Sequence, residues 1–455
     1  MKRLLQEHLD HWLVDPLRKP LVLRGARQVG KTWLVRDLAQ RHEKELIELN
    51  FERDPGIKRL FSSNDPGTIL GEISLWQGRS VEPERSLLFL DEIQAAGEVL
   101  AKLRWFYEEL PFLAVIAAGS LLEFNLTDHT FSMPVGRVGF LHIEPLIFSE
   151  FLMAHSQKVL LDQLLQWHPG LEFSNVLLEK AAAWFYRYCM TGGMPGVVNT
   201  DLAGADARQI RDIQIDLMAT YRADFSKYGK KIDSSVLEAT LAAVAASLGK
   251  KFVYARVRDG VKQHQAKNAL DLLIKARVCH IVQHTSANGL PLGGEVKDSF
   301  RKVILNDIGL FHALMRTPAQ ETFPAWDSMA PHVRAQMTEQ IVGQQLRQHG
   351  PLGGDGPQLY YWQREGGRPG EIDYMLQIDG HIVPLELKSG AAGSMKSLHQ
   401  FMLDKQLNYA IRFDSNPPSQ FEVSVKTTQG APVHYRLRSL PCYFSGLGSS
   451  VLRNK

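Results

Sequence analysis

Between Pro20 and Gln40 the chain reads PLVLRGARQVGKTWLVRDLAQ, an apolar run, a loop and a helical pattern in immediate succession. The loop carries Gly25, Gly30, Lys31 and Thr32 in the spacing G-x-x-x-x-G-K-[ST]. No other stretch restricts the fold as much, because such a loop works only between a strand and a helix N-terminus. Its glycines permit backbone angles that turn several N–H groups inward, making an anion nest where the helix dipole also favours negative charge. Lys31 then reaches the β- and γ-phosphates, and Thr32 offers its hydroxyl to Mg²⁺. Ala26, Gln28 and Val29 complete the nucleotide-binding loop. The bland alternative is a glycine-containing turn before an unrelated helix.

A second element argues against that alternative. Ser86 to Gln94 read SLLFLDEIQ, an apolar strand ending in two carboxylates. Strands of a parallel sheet are buried on both faces, and ligands sit at their carboxyl ends. Asp91 is thereby expected beside Lys31, holding the Mg²⁺ shell, with Glu92 orienting or deprotonating the attacking water. ATP or GTP binding follows. A third apolar run, FLAVIAAGSLL, ends at Ser120, which either senses the γ-phosphate or caps the next helix. Arg137, after a glycine in MPVGRVGF, is a candidate charge-stabilising arginine, in its own chain or toward a neighbouring subunit; the alternative is a structural arginine.

Composition sets the outer limits. A chain of 455 residues exceeds one hydrophobic core, so two to four domains are expected. Its 52 Lys and Arg against 49 Asp and Glu leave a net charge of only +3, so any basic surface must be local. Three scattered cysteines, Cys189, Cys279 and Cys442, exclude a disulfide framework and a cysteine-based zinc site. No uncharged run reaches the roughly 18 apolar residues of a membrane span, and a soluble protein of the reducing cytoplasm is expected.

The local basic surface is easily found. From about Phe148 to Tyr228 the pattern is helical, and Trp184, Phe185, Tyr186 and Tyr188 read as core. Between Lys250 and Arg277, eight Lys or Arg stand against Asp259 and Asp271, within helices feeding a short hairpin. That order suggests a winged helix-turn-helix, with Lys251, Arg256, Arg258, Lys262 and Lys267 contacting a nucleic-acid backbone. A solvated helix face or a protein-docking module are the alternatives.

Near the C-terminus, EIDYMLQIDGHIVPLELKSG alternates on either side of Asp379-Gly380, a strong two-residue hairpin signal. In that register Ile378 pairs with His381, Tyr374 with Leu385 and Ile372 with Leu387. The other face then sets Asp373 across from Glu386 and Glu371 across from Lys388. Opposed carboxylates repel, so Asp373 and Glu386 are expected to hold a cation between them.

The motifs GARQVGKT, LLFLDE, AAGS and GRVGFLHIEPLIFSEFL together resemble prokaryotic ATPases of the AAA-like branch of P-loop proteins. MTGGMPGVV at Met190–Val198 is similar to that family's helical connector, so the resemblance spans nearly the whole chain. Many members carry a C-terminal domain of unknown function that resembles a nuclease. Here an acid, a hairpin and Glu-x-Lys resemble the PD-(D/E)xK site, except that Ile372 stands where a proline often precedes the acid. The resemblance implies ATP as the nucleotide and Mg²⁺ or Mn²⁺ at Asp373 and Glu386. Lys388 would act on developing charge, and Glu339 would be a further acid from a preceding helix. It also implies DNA, branched or single-stranded, as partner, and a homo-oligomeric ring. The expected architecture is an α/β P-loop domain (1–149), a helical connector (150–230), a winged helix (231–320) and a restriction-endonuclease-like α/β domain (321–455). Two functions remain open: an ATP-dependent DNA-processing enzyme, or an ATP-driven signalling switch whose nuclease-like domain only binds DNA or protein.

Overall fold

The computed structural model describes residues 1–119, 134, 136–228, 232–318, 320–350, 352–354, 356–366, 370–390 and 394–453, except the side chains of 226–228, 327, 449 and 450. Two sheets organise them. The first is five-stranded: β1 (Leu21–Arg24), β2 (Glu45–Asn50), β3 (Ser86–Asp91), β4 (Ala114–Ala118) and β5 (Gly139–His142), all parallel, in the order β2-β3-β4-β1-β5. Strands β3 and β4 are buried throughout because their alternate side chains enter two different cores. Leu87 and Phe89 join the cluster of helix α2 (Lys31–Arg41), which contributes Leu34, Val35 and Leu38. Leu88 and Leu90 join Ile69 and Ile73 of α3 (Pro66–Gln77) and Leu100 and Leu103 of α4 (Gly97–Glu109). Continuous apolar runs are what a sheet covered on both faces requires. Parallel pairing brings the C-terminal ends of β1 and β3 to one edge, where the loops leave.

Five helices follow: α5 (Phe148–Ala154), α6 (Lys158–Gln166), α7 (Asn175–Thr191), α8 (Pro195–Leu202) and α9 (Ala207–Tyr228). As expected, Tyr188 is buried, and Phe185 packs edge-on against Phe148 at 5.2 Å. The Gly192-Gly193 step between α7 and α8 has a steric cause. A Cβ on Gly193 would lie 2.0 Å from the Leu146 carbonyl, whose own residue's amide bonds the Gly193 carbonyl at 2.7 Å.

Next come α10 (Ser234–Ala246), a 3₁₀ turn, α11 (Gln263–Lys275) and the antiparallel pair β6 (Cys279–Thr285) and β7 (Val296–Leu305). This is the order of a helix-turn-helix with a hairpin, but the hairpin is not a free wing. Strand β6 runs parallel to β8 (Leu359–Gln363), making β6 and β7 the edge of an eight-stranded sheet. Its order is β12-β13-β11-β10-β9-β8-β6-β7. The boundary suggested at 320/321 therefore divides the strands of one sheet. The other strands are β9 (Glu371–Ile378), β10 (His381–Leu387), β11 (Tyr409–Asp414), β12 (Ser419–Lys426) and β13 (Pro432–Pro441).

Helices α12 (Ile308–Met315) and α13 (Pro331–Leu346) tie this sheet to the connector, while α14 (Lys396–Asp404) covers part of it. Buried glutamines of α13 act as brackets. Gln340 bonds both backbone groups of Leu305, Gln344 accepts the Ile308 amide, and Gln345 accepts the Phe148 amide. Asp307, between β7 and α12, accepts the Gly193 amide at 2.7 Å, the Gly309 amide at 2.8 Å and the Gln344 side chain at 2.9 Å.

Burial raises the Asp307 carboxyl to about 6, against an unperturbed value near 4. The folded chain therefore holds a proton there that the unfolded chain releases, and this contribution to stability is lost as pH rises from about 4 through 6. Urea unfolding of wild type and Asp307→Asn should show it: the wild-type advantage should shrink between pH 4.5 and pH 7.

Candidate functional site

The phosphate loop leaves β1 at Arg24 and enters α2 at Lys31. Its two motif glycines do different work. Gly30 has φ +93°, a left-handed conformation that starts the helix, whereas a Cβ on Gly25 would lie 2.5 Å from the Ile143 carbonyl. Gln28 also has positive φ, 63°. Lys31 is buried, its Nζ 3.1 Å from the Gly25 carbonyl and 2.9 Å from that of Ala26. Burial lowers its ammonium to about 8, against the opposing pull of Glu92 and Asp91.

The expected carboxylates are beside it. The Thr32 hydroxyl donates to Asp91 Oδ2 at 3.3 Å, and the Glu92 amide to Asp91 Oδ1 at 3.1 Å. Burial and then Glu92 raise the Asp91 carboxyl, so a cation there would relieve both. A hydroxyl and a carboxylate in contact are oxygen donors of the kind a hard divalent cation takes. Glu92 sits in the left-handed region at φ 50° and accepts from Gln94 Nε2 at 2.5 Å. Sequence reasoning missed Asn50, whose amide donates to Asp91 Oδ2 at 3.2 Å; the parallel register that pairs the two residues is its only signal. Ser120 lies outside the described residues.

Arg137 is elsewhere. It pairs with Glu108 at 2.6 Å, near the end of α4 and just before the first residue of β5. In a parallel sheet the strand starts lie opposite the phosphate loop, so a role for Arg137 in its own chain's site is corrected by the topology.

The second centre lies in the eight-stranded sheet. The hairpin turns at Asp379 and Gly380, both with positive φ, and its pairing runs as expected from Ile378–His381 to Tyr374–Leu385. There it departs from the expected register. Against β8 the partners change from Tyr360–Met375 to Trp362–Ile372, placing one extra residue in β9. Ile372 and Met375 consequently share one apolar cluster while Tyr374 enters another, and Ile372–Leu387 and Asp373–Glu386 are not ladder pairs. Asp373 instead accepts the Leu387 amide at 2.7 Å.

The expected acids nevertheless gather. Lys388 Nζ is 2.6 Å from Glu386 Oε1, while among the described residues the buried Glu386 Oε2 has no hydrogen-bond partner. Burial and then Asp373 push the Glu386 carboxyl up to about 7. Glu371 does not face Lys388; it pairs with Lys302 of β7, which also bonds Glu339 Oε1 at 2.7 Å. Lys302 is 1% exposed and was invisible to motif reading, because the acids it meets, Glu339 and Glu371, belong to other elements far along the chain. Burial raises Glu339 to about 7, with Lys302 opposing. The charge of Asp373 bears on both Glu339 and Glu386 and so connects the two halves. Among the described residues no three His, Cys, Asp or Glu are grouped to hold a metal ion.

Lys251, Arg256, Arg258, Lys262 and Lys267 are exposed. Lys251 sits 3.7 Å over the Phe300 ring, and Arg258 donates to Ser235 Oγ at 3.3 Å. Arg277, in the same basic run, turns inward to within 3.9 Å of Glu144.

A parallel sheet with a phosphate loop after β1 and an acidic strand end on β3 defines a P-loop nucleotide-binding unit. Residues 17–152 match the family model described as an AAA domain, and this part of the chain is an AAA-type ATPase domain. Residues 182–321 and 334–420 match two models, each described as a domain of unknown function. No curated protein matches the chain. Solved structures with local likeness include AMPPCP-bound DnaA from Aquifex aeolicus (13% identity, TM-score 0.28, 60% of this chain and 88% of that one). Others are C. elegans PCH-2 (15%, 0.22, 38% and 48%) and a Pyrococcus horikoshii signal transduction ATPase with a tetratricopeptide repeat sensor (10%, 0.25, 77% and 46%). Among the described residues no helix is long and apolar enough to cross a membrane.

Glu92→Gln should retain ATP binding yet slow single-turnover hydrolysis by about 10²–10⁴-fold, the usual loss when a general base is removed. Lys31→Ala should abolish binding itself. Wild-type turnover in Glu92→Gln would remove Glu92 from the chemistry.

Proposed function

We propose that the chain is an ATP-hydrolysing, DNA-binding protein whose C-terminal acid–lysine cluster processes DNA in repair, recombination or genome defence. One observation carries this reading: the basic segment abuts the acids. Gly249 directly precedes that segment, and a Cβ there would lie 2.7 Å from Glu339 Oε2. Strand β7 holds both Phe300, beneath Lys251, and Lys302, beside Glu339 and Glu371. A backbone tracked by the exposed cations would thus run next to Asp373, Glu386 and Lys388.

In the ATPase domain, the loop amides and Lys31 bind the β- and γ-phosphates, and Glu92 draws a proton from the attacking water. Thr32 and Asp91 hold Mg²⁺, which neutralises phosphate charge when bound. At the second centre, Asp373 and Glu386 offer carboxylates to Mg²⁺ or Mn²⁺, and Lys388 is placed to act on charge developing at a scissile phosphate. The unpartnered Glu386 oxygen supports this fit. Arg137, half-buried at the end of the sheet opposite the phosphate loop and paired with Glu108, suits a contact with the next subunit of a homo-oligomer.

A second reading has its own observation. Lys302 already supplies a cation to Glu339 and Glu371, leaving fewer carboxylates for a metal. In that reading the cluster is a scaffold, and the ATPase is a switch whose C-terminal unit binds DNA or protein without cutting.

Matched assays of ATP hydrolysis and metal-dependent cleavage on linear, forked and four-way DNA separate the two. The first reading expects cleavage lost in Asp373→Ala and Glu386→Ala, and slowed in Lys388→Ala, with DNA-free ATPase retained. Undetectable cleavage on all three substrates with either metal would leave the scaffold reading.

Charge reversal of Arg256, Arg258 and Lys262 tests the surface itself. If each neutralises a phosphate, the logarithmic salt slope of duplex binding should fall by about 0.9 for every phosphate left without its cation. Unchanged affinity and slope would assign the segment to protein docking.

A further inference from the structure

Arg3 lies outside every motif and is 3% exposed. Its guanidinium donates in three directions: Nε to Glu150 Oε1 at 3.0 Å, Nη2 to the Glu144 carbonyl at 2.7 Å, and Nη1 to the Val29 carbonyl at 3.2 Å. The last of these falls inside the phosphate loop. Glu150 is equally committed, accepting the Leu4 amide at 2.8 Å and the Ile147 amide at 3.1 Å. Arg3 is therefore fixed from behind, with little freedom to drift from the loop.

The peptide plane explains what this contact does. A trans peptide points its C=O and its N–H in opposite directions. Val29 shares its plane with Gly30, so a donor that draws the Val29 carbonyl outward sends the Gly30 N–H inward. An inward N–H at this position is what an anion nest consists of. A parallel device acts two residues earlier: the Tyr221 hydroxyl of α9 donates to the Arg27 carbonyl at 3.0 Å, which turns the Gln28 N–H away from Tyr221.

We propose that Arg3 is a positioning residue for ATP turnover, holding the Val29 carbonyl outward so that the Gly30 N–H is aimed at the nucleotide phosphates. It touches no substrate. Its action is on the loop, and it rests on the nucleotide-site reading. The Glu144 carbonyl and the Glu150 carboxylate orient it, so the loop takes its shape partly from the segment after β5 and from α5.

The test compares wild type, Arg3→Met, Arg3→Lys and Lys31→Ala in the full chain. Melting temperature, affinity for a fluorescent ATP analogue, KM and kcat are measured well below the lowest melting point. Arg3→Met should weaken analogue binding and raise KM about five- to tenfold, the misaiming of one N–H···O bond to a charged acceptor, whose full loss would cost more than about tenfold. Arg3→Lys keeps one donor and should fall between Arg3→Met and wild type. A lowered melting temperature with wild-type affinity and KM in Arg3→Met would mean a structural role only and overturn the proposal. If Arg3→Met does not fold, Arg3→Lys decides: unchanged affinity and KM overturn the proposal. Lys31→Ala isolates the premise, because retained ATP binding there would overturn the nucleotide site rather than Arg3.

Discussion

A carboxylate shut away from water, Glu144, joins three stretches of chain that are far apart in sequence. Arg347, at the end of α13, grips it with a fork, Nη2 to Oε1 at 2.6 Å and Nε to Oε2 at 3.2 Å. Arg277 and His280, from the start of the β6 hairpin, stand 3.9 and 3.7 Å away. Burial alone would raise this carboxyl, yet its guanidinium neighbours, Arg347 above all, hold it well below the usual carboxylate range. His280 is itself lowered to about 3, mainly by burial, and near neutral pH it serves as an uncharged partner of Asn306. Removing one member of such a buried pair costs roughly 3–5 kcal/mol, because the other charge is left without compensation. Apolar packing can match the stability of an ion pair, but it lacks the direction of a two-pronged guanidinium contact. Here the fork joins the segment just after β5 to the end of α13.

The second tie, at Asp307, works with milder charges and more hydrogen bonds. Its oxygens take two backbone amides and a glutamine, and Gln214 fixes the carbonyls of Met190 and Thr191 nearby. Gly193 can approach only because it has no side chain. The connector is thus clamped between Leu146 of the ATPase domain and the start of α12. Gly193 is required by the closeness of two backbones, whereas Gly192, at φ +81°, ends α7 in a conformation that L side chains avoid.

What could be read in advance follows from how far apart the cooperating residues lie. Lys31, Thr32, Asp91 and Glu92 sit in two short segments whose strand-loop context fixes their direction, so the nucleotide site was legible. The hairpin was legible for the same reason, since Asp379 and Gly380 carry the positive φ angles their types favour. The extra residue in β9 was not, because strict alternation continues straight through Ile372, Asp373 and Tyr374 in the sequence. Only the third strand, β8, forces the shift. Lys302 and Asn50 were hidden because their roles come from partners brought together by sheet order. Arg277 shows the reverse error: counted among surface cations by its neighbours in sequence, it is drawn inward by Glu144. Composition of a segment does not say which members face solvent.

The two charged centres handle burial in opposite ways. In the ATPase domain the buried cation, Lys31, faces carbonyl oxygens of its own loop, while Asp91 and Glu92 repel each other at the strand end. Charges so arranged gain from a ligand bringing both negative phosphate and a hard cation. In the C-terminal sheet, Lys302 lies between Glu339 and Glu371, and Lys388 answers Glu386, so most of the carboxylate charge is met from within. What is left over among the described residues is narrow: Asp373, which takes only the Leu387 amide directly and lies near both acids that burial pushes up to about 7, and the one Glu386 oxygen without a partner. Any cation binding there must displace protons from a partly neutralised cluster, so its affinity should increase with pH more steeply than at a site of free carboxylates. The nucleotide site thus leaves a cation and two carboxylates for a ligand to meet, whereas the second centre meets most of its own charge.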